Sequence, residues 1–501
     1  MEKPLTATGA QPRPNVLFIS VDQWPGHLFG FAGNRTIDTP TLDNLARNGV
    51  YYPNAFAECP ICIPARRSMM TGTSPRRHGD RLFQPALPMP PLPTLAKTFV
   101  NAGYQALATG KLHVYPPRDR IGFEEAFIAE EGRSHLGGVD DYEIFLAEQG
   151  HAGEQFMHGM SNNEYSWRTW HLEEKLHVTN WITATAAKHI RRRDPTRPAF
   201  WHVSYTHPHP PITPLAAYFE RYRHRDMEKP QRGSWSDREN LPYALKMARQ
   251  LWPALSDAQY ADMRRAFYAQ CTHIDHQIRL LIGSLREEGI LDNTVILFTS
   301  DHGDLLGDHH LFAKRYLYQG SAQIPMILVE CASAPEQRRN RIDHRLVGLQ
   351  DIMPTLLSLC GIPVPESCEG LSMAGSVTRE SLYCEALGGP LATRMITDGR
   401  FKLIWYPAGN HFQLFDLGKD PHELTDIYAQ AEYGDIGGAL RTRLRRELYG
   451  EDLQWVDGEQ FIGCAEPAVT APANRGLSGQ RGIHYPPLPM ASDPGHVVGF
   501  G

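Results

Sequence analysis

The chain predicts an α/β protein: one large mixed, mostly parallel sheet flanked by helices, then a smaller antiparallel-sheet subdomain. Three observations carry this. Residues 15–21 and 294–300 are continuous apolar runs, as expected of strands buried on both faces, and 104–109 and 200–205 are a third and a fourth candidate. Helical patterns alternate with those runs, which implies crossovers between parallel strands. After about residue 378 the pattern becomes short strands broken by turns such as Asp398-Gly399.

Each element has its own local reason. Residues 39–49 carry a helix, with Thr39 as cap, Pro40 at the start and Gly49 after the end. A second helix follows Cys62, with Pro64 suited to its first position and Thr71-Gly72 to its end. Residues 256–288 place Tyr260, Met263, Phe267, Cys271, Ile274, Ile278 and Leu281 at helical spacing, a core-packing stripe. Another helix starts near Leu349. Strands are expected at 381–386, 392–397, 401–406 and 413–417, with a helix over 434–449. Past Trp455 the chain turns rich in Pro and Gly, and Pro486-Pro487-Leu488-Pro489 cannot be regular helix. Phe461, Ile483 and Tyr485 suggest an arm docked on the body or on a neighbouring subunit. The expected division is a catalytic domain over 1–378, an α+β subdomain over 379–454 and an arm over 455–501.

Composition narrows the function. A hydrophobic content of 42% and a charged content of 21% are those of an ordinary globular protein. A formal net charge of −6 argues against nucleic-acid binding. The longest apolar runs, such as 324–329, are too short to span a membrane. Residues 1–14 are polar and proline-rich, with no apolar segment of the signal-peptide kind. Eight cysteines in 501 residues are no disulfide scaffold, so the expected location is cytoplasmic.

The four apolar runs share one property: each ends in chemistry. The first leads into Asp22-Gln23, the second into Gly110-Lys111-Leu112-His113, the third into Thr206-His207-Pro208-His209 and the fourth into Asp301-His302. In an open α/β sheet the ligand crevice lies outside the carboxyl ends of the strands. Cys62, in Cys62-Ile63-Pro64-Ala65-Arg66, adds a fifth element, at a helix start that favours an anion. Taken alone, that cysteine could also be a buried hydrophobe, or Cys59 and Cys62 could be a redox pair or half a zinc site. No second C-x-x-C exists to complete such a zinc site.

The order of these pieces resembles the type I sulfatases of the alkaline-phosphatase-like superfamily. The resemblance runs from Asn15 to about Leu424. It includes the Cys-x-Pro-x-Arg motif at Cys62, Gly110-Lys111-x-His113, Pro208-His209-x-Pro211, Ser300-Asp301-His302-Gly303, Lys314, and Asp416-Leu417-x-x-Asp420-Pro421-x-Glu423. It implies hydrolysis of a small sulfate ester through Cys62, converted to formylglycine by a maturase. It implies a divalent metal on Asp22, Gln23, Asp301 and His302. Ca2+ suits the oxygen donors, with Mn2+ or Mg2+ as alternatives. Many members have Asp in place of Gln23 and Asn in place of His302, so this set is similar to the branch of choline sulfatases, some arylsulfatases and phosphonate monoester hydrolases. By the same resemblance Arg66 holds the hydrate and the metal-side charge, and His113 is the base for sulfate release. Lys111, Lys314 and His209 contact sulfate oxygens, and His209 or Lys314 protonates the leaving alcohol. The competing enzyme reading is a phosphonate monoester or phosphodiester hydrolase; the Lys111/His113 pair favours the sulfatase. A binding protein with unconverted Cys62 is the reading from another class. His78, His309 and His310 are expected in structural or rim positions, Lys402 as an ordinary strand residue, and residues 121–181 as the insert that shapes the pocket. No nucleic acid or membrane partner is expected; a homo-oligomer would form through the arm.

Overall fold

The computed structural model describes residues 13–132, 139–160, 162–252, 255–334 and 338–470. Among them, ten strands precede residue 349: β1 (Asn15–Asp22), β2 (Val50–Tyr51), β3 (Ala55–Phe56), β4 (Gln105–Gly110), β5 (Glu125–Ile128), β6 (Ala199–Pro208), β7 (Thr294–Ser300), β8 (Met326–Val329), β9 (Arg341–Ile342) and β10 (Val347–Gly348). Eight form one sheet in the order β5-β4-β6-β1-β7-β8-β2-β9, while β3 pairs with β10. The four predicted runs are its centre, β4-β6-β1-β7, and are parallel throughout. The sheet is mixed because β8 runs antiparallel to β7 and to β2.

Strand alternation divides the core into two layers. Leu17, Ile19 and Val21 face the helix Asp257–Glu287, joining Phe267, Ile274 and Ile278. Val16 and Phe18 face the other way, joining Ala65 and Met69 of the helix Cys62–Thr71 and Leu356 of Ile352–Leu359. The long helix starts in a reciprocal capping box between Ser256 and Gln259.

Two local expectations are corrected. The helix after Cys62 begins at Cys62 itself, so Pro64 is its third residue and not its first. The first helical N–H groups have no intrahelical partner, so a proline there loses no hydrogen bond. The Thr39 side chain does not cap its helix. Its Oγ1 instead accepts from Gly30 N at 2.8 Å.

The C-terminal sheet is antiparallel, in the order β11 (Leu382–Ala386), β12 (Thr393–Thr397), β13 (Phe401–Tyr406), β14 (His411–Asp416). The helix Gly434–Glu447 packs Leu440 and Leu444 against Leu403, Trp405 and Leu414. Arg394 is fully buried and grips Asp452 through Nε at 2.8 Å and Nη2 at 2.7 Å. Arg81, from the large domain, reaches the same Asp452 at 2.8 Å. Lys402 is no ordinary strand residue: it is buried, with its Nζ 2.7 Å from Glu423 Oε1 and 3.0 Å from Leu317 O. The described start of the arm packs on this subdomain. Phe461 meets Trp405 edge-on at 4.7 Å, and Cys464 N donates to Pro407 O at 2.8 Å. Ile483, Tyr485 and the proline run lie outside the described residues, as does any subunit contact through them. Among the described residues no helix is long and apolar enough to cross a membrane.

Burial of imidazoles sets an acid limit on this fold. Desolvation pushes His78, His202 and His273 down to about 3, and His158 and His309 down to about 4, from an ordinary value of 6.5. Below pH 6.5 the unfolded chain therefore takes up protons at five positions that the folded chain leaves neutral. Each such group costs ~1.4 kcal/mol of stability per pH unit inside its window. Burial raises Glu58 to about 7 and Asp275 to about 6, and also raises Asp80, Glu130, Asp304, Glu385, Glu423 and Asp426, which acts in the opposite sense. Burial lowers His27, His177, His189, His207, His209, His276 and His310 as well, so the histidines outnumber these carboxyls. The melting temperature is expected to fall as pH drops from 6.5 to 4.5. Scanning calorimetry showing a flat or rising melting temperature over that range would refute this account.

Candidate functional site

Because β4, β6, β1 and β7 are parallel, their carboxyl ends share one edge of the sheet, and the helix beginning at Cys62 points its N-terminus there. The chain turns sharply at these ends. Gln23 has φ 72° and Gly110 has φ 105°. At Gly110 only glycine fits, since a Cβ would lie 1.8 Å from Ser204 O of the neighbouring strand.

Asp22, Cys62, Asp301 and His302, all buried, bring one ligand atom each to within 4.8 Å of one another. Cys62 Sγ lies 3.2 Å from His302 Nε2 and 3.8 Å from Asp22 Oδ1. His302 Nδ1 is tied to Gly303 O at 3.0 Å, which leaves Nε2 to face the carboxylates. Two carboxylates and an imidazole nitrogen converging in a buried space suit a divalent cation. The expected nucleophile and three of the four expected ligands thus meet at one point.

Gln23 is held differently. Its backbone N donates to Asp301 Oδ1 at 3.1 Å. Its carboxamide accepts from Lys314 Nζ at 2.8 Å and donates to Tyr165 Oη at 2.9 Å and Asp304 Oδ2 at 2.5 Å. Lys314 Nζ also reaches His209 Nε2 at 2.7 Å, and His209 Nδ1 is fixed on Pro210 O at 2.6 Å.

Arg66 ties the site together. Nε donates to Asp301 Oδ2 at 3.0 Å and Nη2 to Asp22 Oδ2 at 3.3 Å, while Nη1 serves Lys111 O at 2.8 Å and Ser204 Oγ at 2.9 Å. Lys111 Nζ pairs with Asp22 Oδ2 and, at 3.0 Å, with Glu131 Oε2. His113 lines a small cavity with Ile63, Arg66, Arg67 and His202. Its backbone N and that of Leu112 both donate to Glu130 Oε1 at 2.9 Å.

These charges set the ionisation. Burial pushes the Asp22 carboxyl up, but Lys111, His209, Arg66 and His302 together hold it well below the usual carboxylate range. Burial and Asp22 push the Cys62 thiol up, and Lys314, Lys111 and His302 outweigh them, so it lies below the ordinary thiol value. Cys59 is pushed well above that value, first by burial, and its Sγ faces Arg81 O at 3.7 Å. All eight cysteines are free, so Cys59 and Cys62 are not a disulfide.

His78 meets Ser68 Oγ at 3.2 Å, His309 Nδ1 accepts from Gly233 N at 3.1 Å, and the more open His310 pairs with Asp237 at 2.8 Å; none of the three belongs to the converging group of ligand atoms. Sequence reasoning did not single out Glu130, Glu131, Tyr165, Ser204 or Asp304. Asp304 carried a usable signal, being an acid three residues past Asp301. Glu130, Glu131 and Tyr165 come from the insert, whose local sequence does not set them apart from surface residues.

The family model described as Sulfatase matches residues 14–362. The model described as N-sulphoglucosamine sulphohydrolase, C-terminal, matches residues 307–449. The chain is 34% identical to an arylsulfatase of Clostridium perfringens, over 90% of this chain and 97% of that protein. It is 29% identical to a choline-sulfatase of Rhizobium meliloti, over 86% of each. The fold is similar to that of the phosphonate monoester hydrolase of Agrobacterium radiobacter, with a TM-score of 0.75 at 23% identity, over 89% of this chain and 98% of that one.

Proposed function

The chain belongs to the sulfatase family and is a sulfuric ester hydrolase; from that premise we propose that it cleaves a sulfate monoester through Cys62 converted to formylglycine, with a divalent metal held by Asp22, Gln23, Asp301 and His302. The observation that carries this reading is the position of Cys62 Sγ among Asp22, Asp301 and His302, flanked by the ammonium groups of Lys111 and Lys314. Sγ stands in for an oxygen of the hydrated aldehyde. One hydroxyl of that hydrate gives its proton to the carboxylate that position 62 faces, Asp22, and attacks sulfur, and the bond from sulfur to the alcohol oxygen breaks as His209 or Lys314 gives the alcohol a proton. The second hydroxyl then loses its proton to His113, the carbonyl re-forms and the carbon–oxygen bond to sulfate breaks. A bound cation, most simply Ca2+, would supply Lewis-acid stabilisation of the negative charge. Lys111, held between Asp22 and Glu131, places positive charge at the sulfate oxygens. The eight free cysteines support a reducing cytoplasm as the location, where a maturase would act on Cys62.

Lys111 and His113 separate the two half-reactions. With an activated aryl sulfate in stopped flow, His113→Ala is expected to give a burst of phenol followed by turnover slowed by about 100- to 10,000-fold. Lys111→Ala should slow the first step and show no burst. Wild-type sulfatase rates in both variants would remove these roles. A strong preference of the native enzyme for phosphonate esters would favour the phosphonate monoester hydrolase reading.

A further inference from the structure

We propose that Asp304 is a positioning residue that makes Gln23 an oxygen donor, by capturing the NH2 end of its carboxamide. The inference rests on the metal reading of the preceding subsection and concerns how this chain uses a neutral amide in its ligand set. A carboxamide can present either end to a neighbour, and only its partners decide which. Here the partners differ in kind. An ionised carboxylate only accepts, and an ammonium group only donates. Asp304 lies against one end of the Gln23 carboxamide at 2.5 Å and Lys314 Nζ against the other at 2.8 Å. One orientation satisfies both, with Nε2 on Asp304 and Oε1 exposed to cationic partners.

Asp304 is itself fixed. Its Oδ1 accepts from the backbone N of Leu306 at 2.8 Å and of Ala313 at 3.0 Å. Its Oδ2 is left for Gln23 and for the Tyr165 hydroxyl at 2.6 Å. Asp304 is 1% exposed and Gln23 1%, so water does not compete for these contacts. The same arrangement dictates what asparagine would do at position 304. The two backbone N–H groups would hold its oxygen in the place of Oδ1, and its NH2 would replace Oδ2. Two NH2 groups would then meet, and rotating Gln23 would relieve that clash only by turning its own NH2 onto the Lys314 ammonium and the cation, so either orientation weakens the site.

The test is a double-mutant cycle on metal affinity, measured for Ca2+ alone and Mn2+ alone by competition with a chelating dye. Asp304→Asn is expected to weaken binding by about 10- to 100-fold, the range for outer partners of metal ligands. In a Gln23→Ala background the same substitution is expected to change affinity by less than about twofold, because there is no carboxamide left to orient. An equal loss in both backgrounds would show that only the charge of Asp304 matters and would overturn the inference, as would unchanged binding by Asp304→Asn. Wild-type protein that binds neither ion overturns the metal reading and this inference with it; wild-type binding with a failed cycle overturns the inference alone. If Asp304→Asn does not fold, the reversed pair Gln23→Glu/Asp304→Asn again sets one donor against one acceptor. It is expected to fold and to bind both ions, and its failure to do so counts against the inference.

Discussion

Cys62→Ser is expected to end multiple turnover, with a loss of at least about 1,000-fold, and to leave the fold intact. The side chain is fully buried at the start of its helix, so the smaller hydroxyl changes little of the packing. A serine oxygen can attack sulfur once, but it carries no second hydroxyl to expel sulfate. The variant should therefore stop as a stable sulfate ester on residue 62, seen as one added SO3 in the intact mass. The native protein should show an aldehyde at residue 62 by peptide mass spectrometry, and Cys59→Ala should keep most of the activity. Sustained turnover by Cys62→Ser, or full native activity with only cysteine at position 62, would eliminate the formylglycine mechanism.

Arg66→Ala is expected to cost about 3–5 kcal/mol of stability as well as activity, the range for removing one partner of a buried ion pair. The guanidinium serves two buried carboxylates, Asp22 and Asp301, with different nitrogens. Without it, Asp301 loses a direct cationic partner and Asp22 keeps Lys111. Arg66→Lys should recover only part of the loss, because an ammonium cannot span two carboxylates, a backbone oxygen and Ser204 from one plane. The measurement is a urea unfolding series in the presence of a chelator. A loss below about 0.5 kcal/mol, the scale of a surface substitution, would mean that the bridge is not structural.

The centre of the fold was legible because β1, β4, β6 and β7 are almost wholly buried on both faces and so appear as largely apolar runs. The short strands β2 and β9 left no such trace, since two residues become a strand only by pairing. The site was legible where chemistry directly follows a strand, as at Asp22 and Asp301. It was not legible at Glu130, Glu131 or Tyr165, because their burial is imposed by elements remote in sequence. Lys402 shows the same limit from the other side. Nothing local in its short strand announced its buried partner Glu423, which lies beyond the next hairpin. The motif at Cys62 singled out a residue that lies with Asp22, Asp301 and His302 but misplaced the helix start, since proline is tolerated at any of the first few helical positions.

The strand order also has a consequence for synthesis. β1 lies at the centre of the sheet, where Val16 pairs with Phe200 on one side and Val295 on the other. At roughly 5–20 residues per second, the first partner follows β1 out of the ribosome after roughly 10–40 seconds and the second after roughly 15–55 seconds. Until the first partner emerges this central strand has neither neighbour, and such unpaired edges are prone to associate with other chains. The arrangement that gathers the site from distant parts of the chain therefore also leaves its first strand dependent on whatever shields nascent protein.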